Sequence, residues 1–168
     1  MKTLVTYFEP FGGRTANASK EVASLLNEFE TIELPVSWLQ VESKIEEILS
    51  KHPDCLFLIG EAGSYQEITV EKTAHNMCNG LDNYGVNKNN EPIVNDGPND
   101  IQTKFNLENV KYRISDDAGK YLCNYVYYLA LTKANVTKVA FIHLPYIDNN
   151  ISELKNSLLD IIEKLTKE

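Results

Sequence analysis

Apolar positions along this chain recur with two periods, roughly two and roughly 3.6, and the two take turns. Residues 3–8, TLVTYF, read as a strand, and the turn EPFGG closes it. Val22, Leu25, Leu26 and Phe29 then recur at helical spacing, with Ser19 as the expected N-cap. Residues 31–36, TIELPV, predict a second strand that Pro35 ends or confines to a sheet edge. Ser37 and Gln40 make a capping-box pattern ahead of a helix whose apolar face is Val41, Ile45, Ile48 and Leu49. Residues 55–60, CLFLIG, form a continuous apolar run, the pattern of a strand covered on both faces.

The turn EAGS leads into QEITVEK, another predicted strand. From 76 to 109 the chain is polar and rich in Asn, Asp, Gly and Pro, which predicts a long surface excursion with little regular structure. KYRIS then reads as a strand, followed by a helix containing Cys123 and the strand KVAFIHL at 138–144. A last helix begins near Asn150, with Glu153 in the capping-box position and Ile151, Leu154, Leu158, Ile161, Ile162 and Leu165 on its core face. Strands alternating with helices predict an α/β fold, layered around a mostly parallel sheet.

Composition narrows the picture further. The 168 residues are 43% apolar and 24% charged, enough for one sizeable core, and no linker, charge block or repeat divides them, so residues 1–168 read as one domain. The net charge is −8 with Lys and Arg scattered, which argues against nucleic-acid or anionic-membrane partners. MKTLVTYF is too short for a signal peptide and no run approaches a membrane span, so a cytoplasmic location is expected. The cysteines Cys55, Cys78 and Cys123 are odd in number and irregularly spaced, without a Cys/His cluster, and read as free thiols with no metal.

Open α/β sheets carry their sites at the carboxyl ends of strands. Three reactive side chains fall there: Cys123 at a helix start after KYRIS, His143 near the end of KVAFIHL, and Glu71 in ITVEK. They could supply a nucleophile, a general base and a carboxylate that orients the base. A helix N-terminus and a neighbouring imidazole both favour a thiolate. Residue type alone equally allows a packed cysteine, a core histidine and a solvated glutamate. The turn FEPFGG offers a rival phosphate cradle, but GGRTANAS lacks the Lys-Ser/Thr ending of a P-loop and the spacing of GxGxxG. Phe8 and Phe11 suit an apolar slot better.

Four blocks taken together carry a specific resemblance: FEPFGG with Asn17, ITVEKTAHN, DAGKYLCN and FIHLPYI. In that order they resemble the motifs of the pyroglutamyl peptidase I family, cysteine peptidases that remove an N-terminal pyroglutamate. The resemblance spans Thr3 to about Ile147, and GLDN at 80–83 is similar to a piece of some members. It implies a three-layer α/β/α sandwich around a mostly parallel twisted sheet, with Cys123 as nucleophile, His143 as general base and Glu71 as the residue orienting the imidazole. It implies peptides with an N-terminal pyroglutamate as substrates, no cofactor, and a homo-oligomer, often a tetramer. Phe8, Phe11 and Asn17 match positions at the substrate pocket, and Glu61 falls on a turn beside it.

The chain also departs from the family pattern. Tyr7 stands where glycine is usual, Glu61 where a neutral residue is usual, and residues 76–83 lack an arginine that many members carry. The chain is shorter before KYRIS, in LTKANVTK and after PYI. Tyr7 and Glu61 keep open a related cysteine amidohydrolase acting on another lactam or N-blocked compound, and a non-catalytic binding relative is the third reading.

Overall fold

The computed structural model describes residues 1–146 and 150–167; Ile147, the last residue of the FIHLPYI block, lies outside them. In chain order the elements are β1 (Thr3–Phe8), α1 (Ala18–Ala23), β2 (Glu30–Leu34), α2 (Val41–Ser50), β3 (Cys55–Glu61), β4 (Thr69–Glu71), β5 (Thr73–His75), β6 (Cys78–Leu81), β7 (Asn87–Glu91), β8 (Asp100–Gln102), β9 (Arg113–Ser115), α3 (Leu122–Lys133), β10 (Lys138–Leu144) and α4 (Ile151–Thr166). The central sheet has the order β2-β1-β3-β10-β4-β9. β2, β1, β3 and β10 run parallel, β4 is antiparallel to β10, and β9 is parallel to β4. This is the mostly parallel α/β sheet that the sequence predicts.

Period-two alternation divides the sheet into two faces with two cores. Leu4, Leu56, Leu58, Val139 and Phe141 face α2 and α3, whereas Val5, Phe57, Ile59, Ala140 and Ile142 face α1 and α4. Every residue of β3 is buried, as expected of a strand covered on both sides. The alternation also sorts the strand ends. Gly60 and His143 fall on the α3 face, and Tyr7 packs partly buried against the α1/α4 core, on the opposite side of the sheet.

Three expectations need correction. The first helix is only Ala18–Ala23, and its cap is Asn17, whose side chain accepts from the Ser19 N–H; Ser19 is buried inside the helix. Leu25, expected on the apolar face, is 38% exposed because the helix stops before it. The 76–109 segment is not structureless. β6 and β7 pair as an antiparallel ribbon, and β8 pairs with β5. Polar, Asn-rich strands such as NKNNE carry no alternation to betray them, because one face meets solvent and the other packs on few apolar groups. Side-chain amides do the work instead: Asn76 Oδ1 accepts from the N–H groups of Ile93 and Val94 at 2.8 and 2.9 Å. No described helix is long and apolar enough to cross a membrane.

His75, on β5, ties this excursion to the approach of α3. Its Nδ1 bonds the Asp100 carboxylate and its Nε2 lies 2.6 Å from the Asp116 carbonyl oxygen. Both partners are acceptors, so the ring serves both only as an imidazolium. Partial burial opposes that charge, but Asp100 and the Asp116 carbonyl outweigh it and raise the pKa above the ordinary 6.5. A raised pKa gives stability that is full below about pH 6.5 and is lost as pH climbs through the folded value. The gap in urea midpoint between wild type and Asp100→Asn should therefore be wide at about pH 6 and close by about pH 8.5. A gap independent of pH would mean that the ring is neutral.

Candidate active site

The loop from Ser115 to Tyr121 leads into α3. Gly119 adopts φ +82, a conformation open to glycine at little cost, and Tyr121 is the extended N-cap residue. Cys123 is thus the second residue of α3, in the first turn, where backbone N–H groups have no intrahelical partner. Its sulfur lies directly over Gly60. A Cβ built on Gly60 would be 2.7 Å from Cys123 Sγ and 2.9 Å from Phe141 Cζ, so only glycine leaves room for the thiol.

Gly60 is the register partner of His143 on the neighbouring strand β10. Side chains of paired residues in adjacent strands project to the same face, so the imidazole and the thiol share the α3 side of the sheet. His143 is 4% exposed and its ring lies 4.7 Å from that of Phe141, measured between centroids. β4 crosses alongside, pairing Thr69 with His143 and Glu71 with Phe141. This register sends Glu71 to the same face, where Oε1 accepts from His143 Nδ1 at 2.7 Å. Glu71 is fully buried, and Oε1 also accepts from the Tyr65 hydroxyl at 2.9 Å. The bond to Nδ1 fixes the tautomer and leaves Nε2 as the basic nitrogen.

The electrostatics differ from the sequence expectation. Burial, and after it the charge of Glu71, push the Cys123 thiol up to about 12. A helix N-terminus favours an anion by about 1 kcal/mol, which does not offset several kcal/mol of desolvation. A thiolate at this position has to form as its proton moves to a nearby base.

The other expected site residues sit around this group at different depths. Phe8 is buried in the α2/α3 core at 2% exposure, on the same side of the sheet as the thiol. Phe11 reaches the surface and, with Gly12, Gly13, Leu81, Asp82, Asn83 and Tyr121, lines a cleft of about 520 Å³. Asn17 is 1% exposed and spends its oxygen capping α1, while its Nδ2 is buried without a partner among the described residues. Glu61 ends β3 on the α1 side. Its carboxylate pairs with both terminal nitrogens of Arg14 and accepts the Ala18 N–H at 2.7 Å, and Arg14 also lies over the Tyr146 ring. A second cleft of about 270 Å³, lined by His143, Tyr65, Ala62, Ser64 and the Asp117–Gly119 turn, opens on the imidazole side. Gly60, Arg14 and Tyr65 are absent from the sequence expectation. Gly60 had a legible signal, a glycine at the end of an otherwise bulky buried strand; Tyr65, on the turn after β3, had none.

Comparisons with known proteins place nearly the whole chain in one family. The family model described as Pyroglutamyl peptidase matches residues 1–160. Pyrrolidone-carboxylate peptidase 1 of Caldanaerobacter subterraneus is 34% identical over 192 aligned residues, covering 98% of this chain and 94% of that protein. The pyrrolidone-carboxylate peptidase of Thermosipho melanesiensis is 33% identical, with 99% and 93% covered. The crystal structure of the pyrrolidone carboxyl peptidase of Fervidobacterium islandicum superposes with a TM-score of 0.90 at 27% identity, over 99% of each chain. With sequence and fold in accord over nearly its whole length, this chain belongs to the pyroglutamyl peptidase family.

Proposed function

We propose that this protein is a cysteine exopeptidase that hydrolyses the bond after an N-terminal pyroglutamate, with Cys123 as nucleophile, His143 as general acid and base, and Glu71 orienting the imidazole. The observation that carries the assignment of roles is the pair of contacts on the α3 face: Cys123 over Gly60, and the Glu71–His143 bond one strand away.

The reaction follows from that arrangement. As Cys123 Sγ attacks the pyroglutamyl carbonyl carbon, its proton passes to Nε2 of His143. The carbonyl oxygen becomes an oxyanion beside the first turn of α3, where the free N–H of Cys123 can donate to it. Loss of one such donor typically costs about 3 kcal/mol in the barrier. The imidazolium is stabilised by the Glu71 carboxylate, and it gives its proton to the leaving amine as the C–N bond breaks. Water then attacks the thioester with Nε2 taking its proton, pyroglutamate leaves, and the thiol is regenerated.

The direction of the substrate is fixed by the same step. The leaving amine must lie within reach of His143, so the released peptide occupies the cleft shared by His143 and Tyr65. The lactam ring then lies toward Phe11, on the side of the larger cleft. The rings of Phe11 and Tyr121, which line that cleft, suit a neutral five-membered ring. The buried Nδ2 of Asn17, which lacks a partner among the described residues, is a donor suited to the lactam oxygen. Glu61 acts from the other side of the sheet end: with its charge taken up by Arg14 and the Ala18 N–H, it braces the loop that carries Phe11 instead of meeting the ligand. Tyr7 faces the α1/α4 core, away from the thiol. Both placements support the pyroglutamyl reading over another lactam or N-blocked substrate.

The test is release of a fluorogenic amine from its L-pyroglutamyl conjugate under reducing conditions. Wild type should turn it over, Cys123→Ala should not, and the prolyl conjugate, lacking the lactam oxygen, should be inert. No turnover by folded wild type would contradict the reading. His143→Ala should lower kcat about a thousandfold. Gly60→Ala should remain folded, at a cost of about 1–3 kcal/mol in stability, because only the tip of Phe141 and the sulfur need to shift. Its kcat should drop about a hundredfold as the sulfur is displaced by about 1 Å. Full activity in Gly60→Ala would mean that the thiol is not held where the reaction needs it.

A further inference from the structure

Tyr65 lies on the turn after β3, whose chain reversal is closed by the Tyr65 N–H donating to the Ala62 carbonyl at 3.0 Å. Its hydroxyl is 2.9 Å from Glu71 Oε1, the same oxygen that takes His143 Nδ1–H. The other carboxylate oxygen, Oε2, is buried and has no partner among the described residues. A buried carboxylate held by one imidazole alone is free to swing about that bond and is poorly stabilised. The phenol supplies the second donor. Its ring also stands edge-on to the imidazole, with centroids 5.4 Å apart and planes at 82°, and Arg113 covers the ring at 4.5 Å.

We propose that Tyr65 is a positioning residue of the reaction: it locks the Glu71 carboxylate and the face of the His143 ring, and so sets the basicity and aim of Nε2. The inference rests on the peptidase reading for its kinetic consequence, but the contact itself is independent of substrate. Burial, and with it the nearby charge of Glu71, raise the Tyr65 pKa, so the hydroxyl remains a donor throughout the working pH range. The Asp117 carbonyl at 3.1 Å competes for the same proton. Asp117 belongs to the loop that delivers Cys123, so the phenol touches both halves of the site. Besides Tyr65, the titratable and charged groups around the Glu71–His143 pair among the described residues are Cys123 and Tyr127 from α3, the latter donating its hydroxyl to the Glu71 carbonyl at 2.8 Å, Arg113 from β9 and Asp117 from that loop; Glu61 on β3 is paired with Arg14.

The sign of the effect follows from the hydrogen bond. Donation from Tyr65 draws charge away from Oε1; without it, Oε1 holds the imidazolium proton more tightly. Tyr65→Phe should therefore move the acid limb of kcat/KM upward by about half a pH unit. It should lower kcat about tenfold and leave KM within about twofold, as expected for a partner that orients a reacting group without binding substrate. Replacing Tyr65 with a ring-fluorinated tyrosine, a stronger donor of nearly the same shape, should shift the limb the other way. A substrate-free readout separates this inference from the peptidase reading: the His143 ring protons, titrated by NMR in the Cys123→Ala protein and identified by their loss in His143→Gln. An upward shift in Tyr65→Phe supports the contact even if pyroglutamyl substrates prove inert. A lower melting temperature, with the His143 titration and the pH profile unmoved, would reduce Tyr65 to packing and overturn the proposal.

Discussion

The site depends on one backbone constraint, the parallel ladder between β3 and β10. Seven consecutive pairs hold those strands in register, from Lys138 opposite Cys55 to Leu144 opposite Glu61. A one-residue slip of β10 would turn His143 toward α4, and a one-residue slip of β3 would put a bulky side chain beneath Cys123. The register is secured by the two cores, since Phe57 and Ile59 belong to one and Leu58 and Phe141 to the other. Reversing either strand's faces would expose or misplace these fully buried groups, each worth about 1.5–3 kcal/mol. Hydrophobic burial on both faces of the sheet therefore aims the imidazole and empties the space that the sulfur fills.

Around that constraint the electrostatics are arranged for a proton transfer that occurs on demand. In the proposed reaction, with the thiol pKa raised by burial and by Glu71, negative charge would appear on sulfur as the imidazole accepts the proton. The first turn of α3 would then face the proposed oxyanion, the charge that a helix N-terminus stabilises. The same residues serve packing and the proposed chemistry: Gly60 leaves room for the Cys123 sulfur, and the Arg14–Glu61 pair neutralises a buried charge beside the loop of Phe11.

Much of this was legible in the residues. The apolar runs 55–60 and 138–144 identify the two central strands, because a strand buried on both faces has a composition that no loop shares. Asn150 and Pro35 mark a helix start and a strand end through local backbone chemistry alone. The short first helix was not legible, since Leu25 and Leu26 continue a helical spacing after the chain has already turned. The β6–β7 ribbon was hidden for the opposite reason: its strands are polar, and their register is set by Asn side chains and tertiary contacts. Cys123, Glu71 and His143 stood out only as residue types until the motif blocks joined them, because their proximity comes from β4 running against β10, which no local pattern encodes. Tyr65 was invisible for the same reason.

The central claim is that Cys123 carries the acyl group. Its most direct test is to acid-quench the enzyme early in turnover of a pyroglutamyl ester or anilide and to map the mass of one pyroglutamyl group by peptide mass spectrometry. The account predicts the adduct on the peptide containing Cys123, labile to hydroxylamine as a thioester is, and none in Cys123→Ser or on the peptides of Cys55 and Cys78. Turnover with the adduct on another residue, or undiminished turnover in Cys123→Ser, would contradict it.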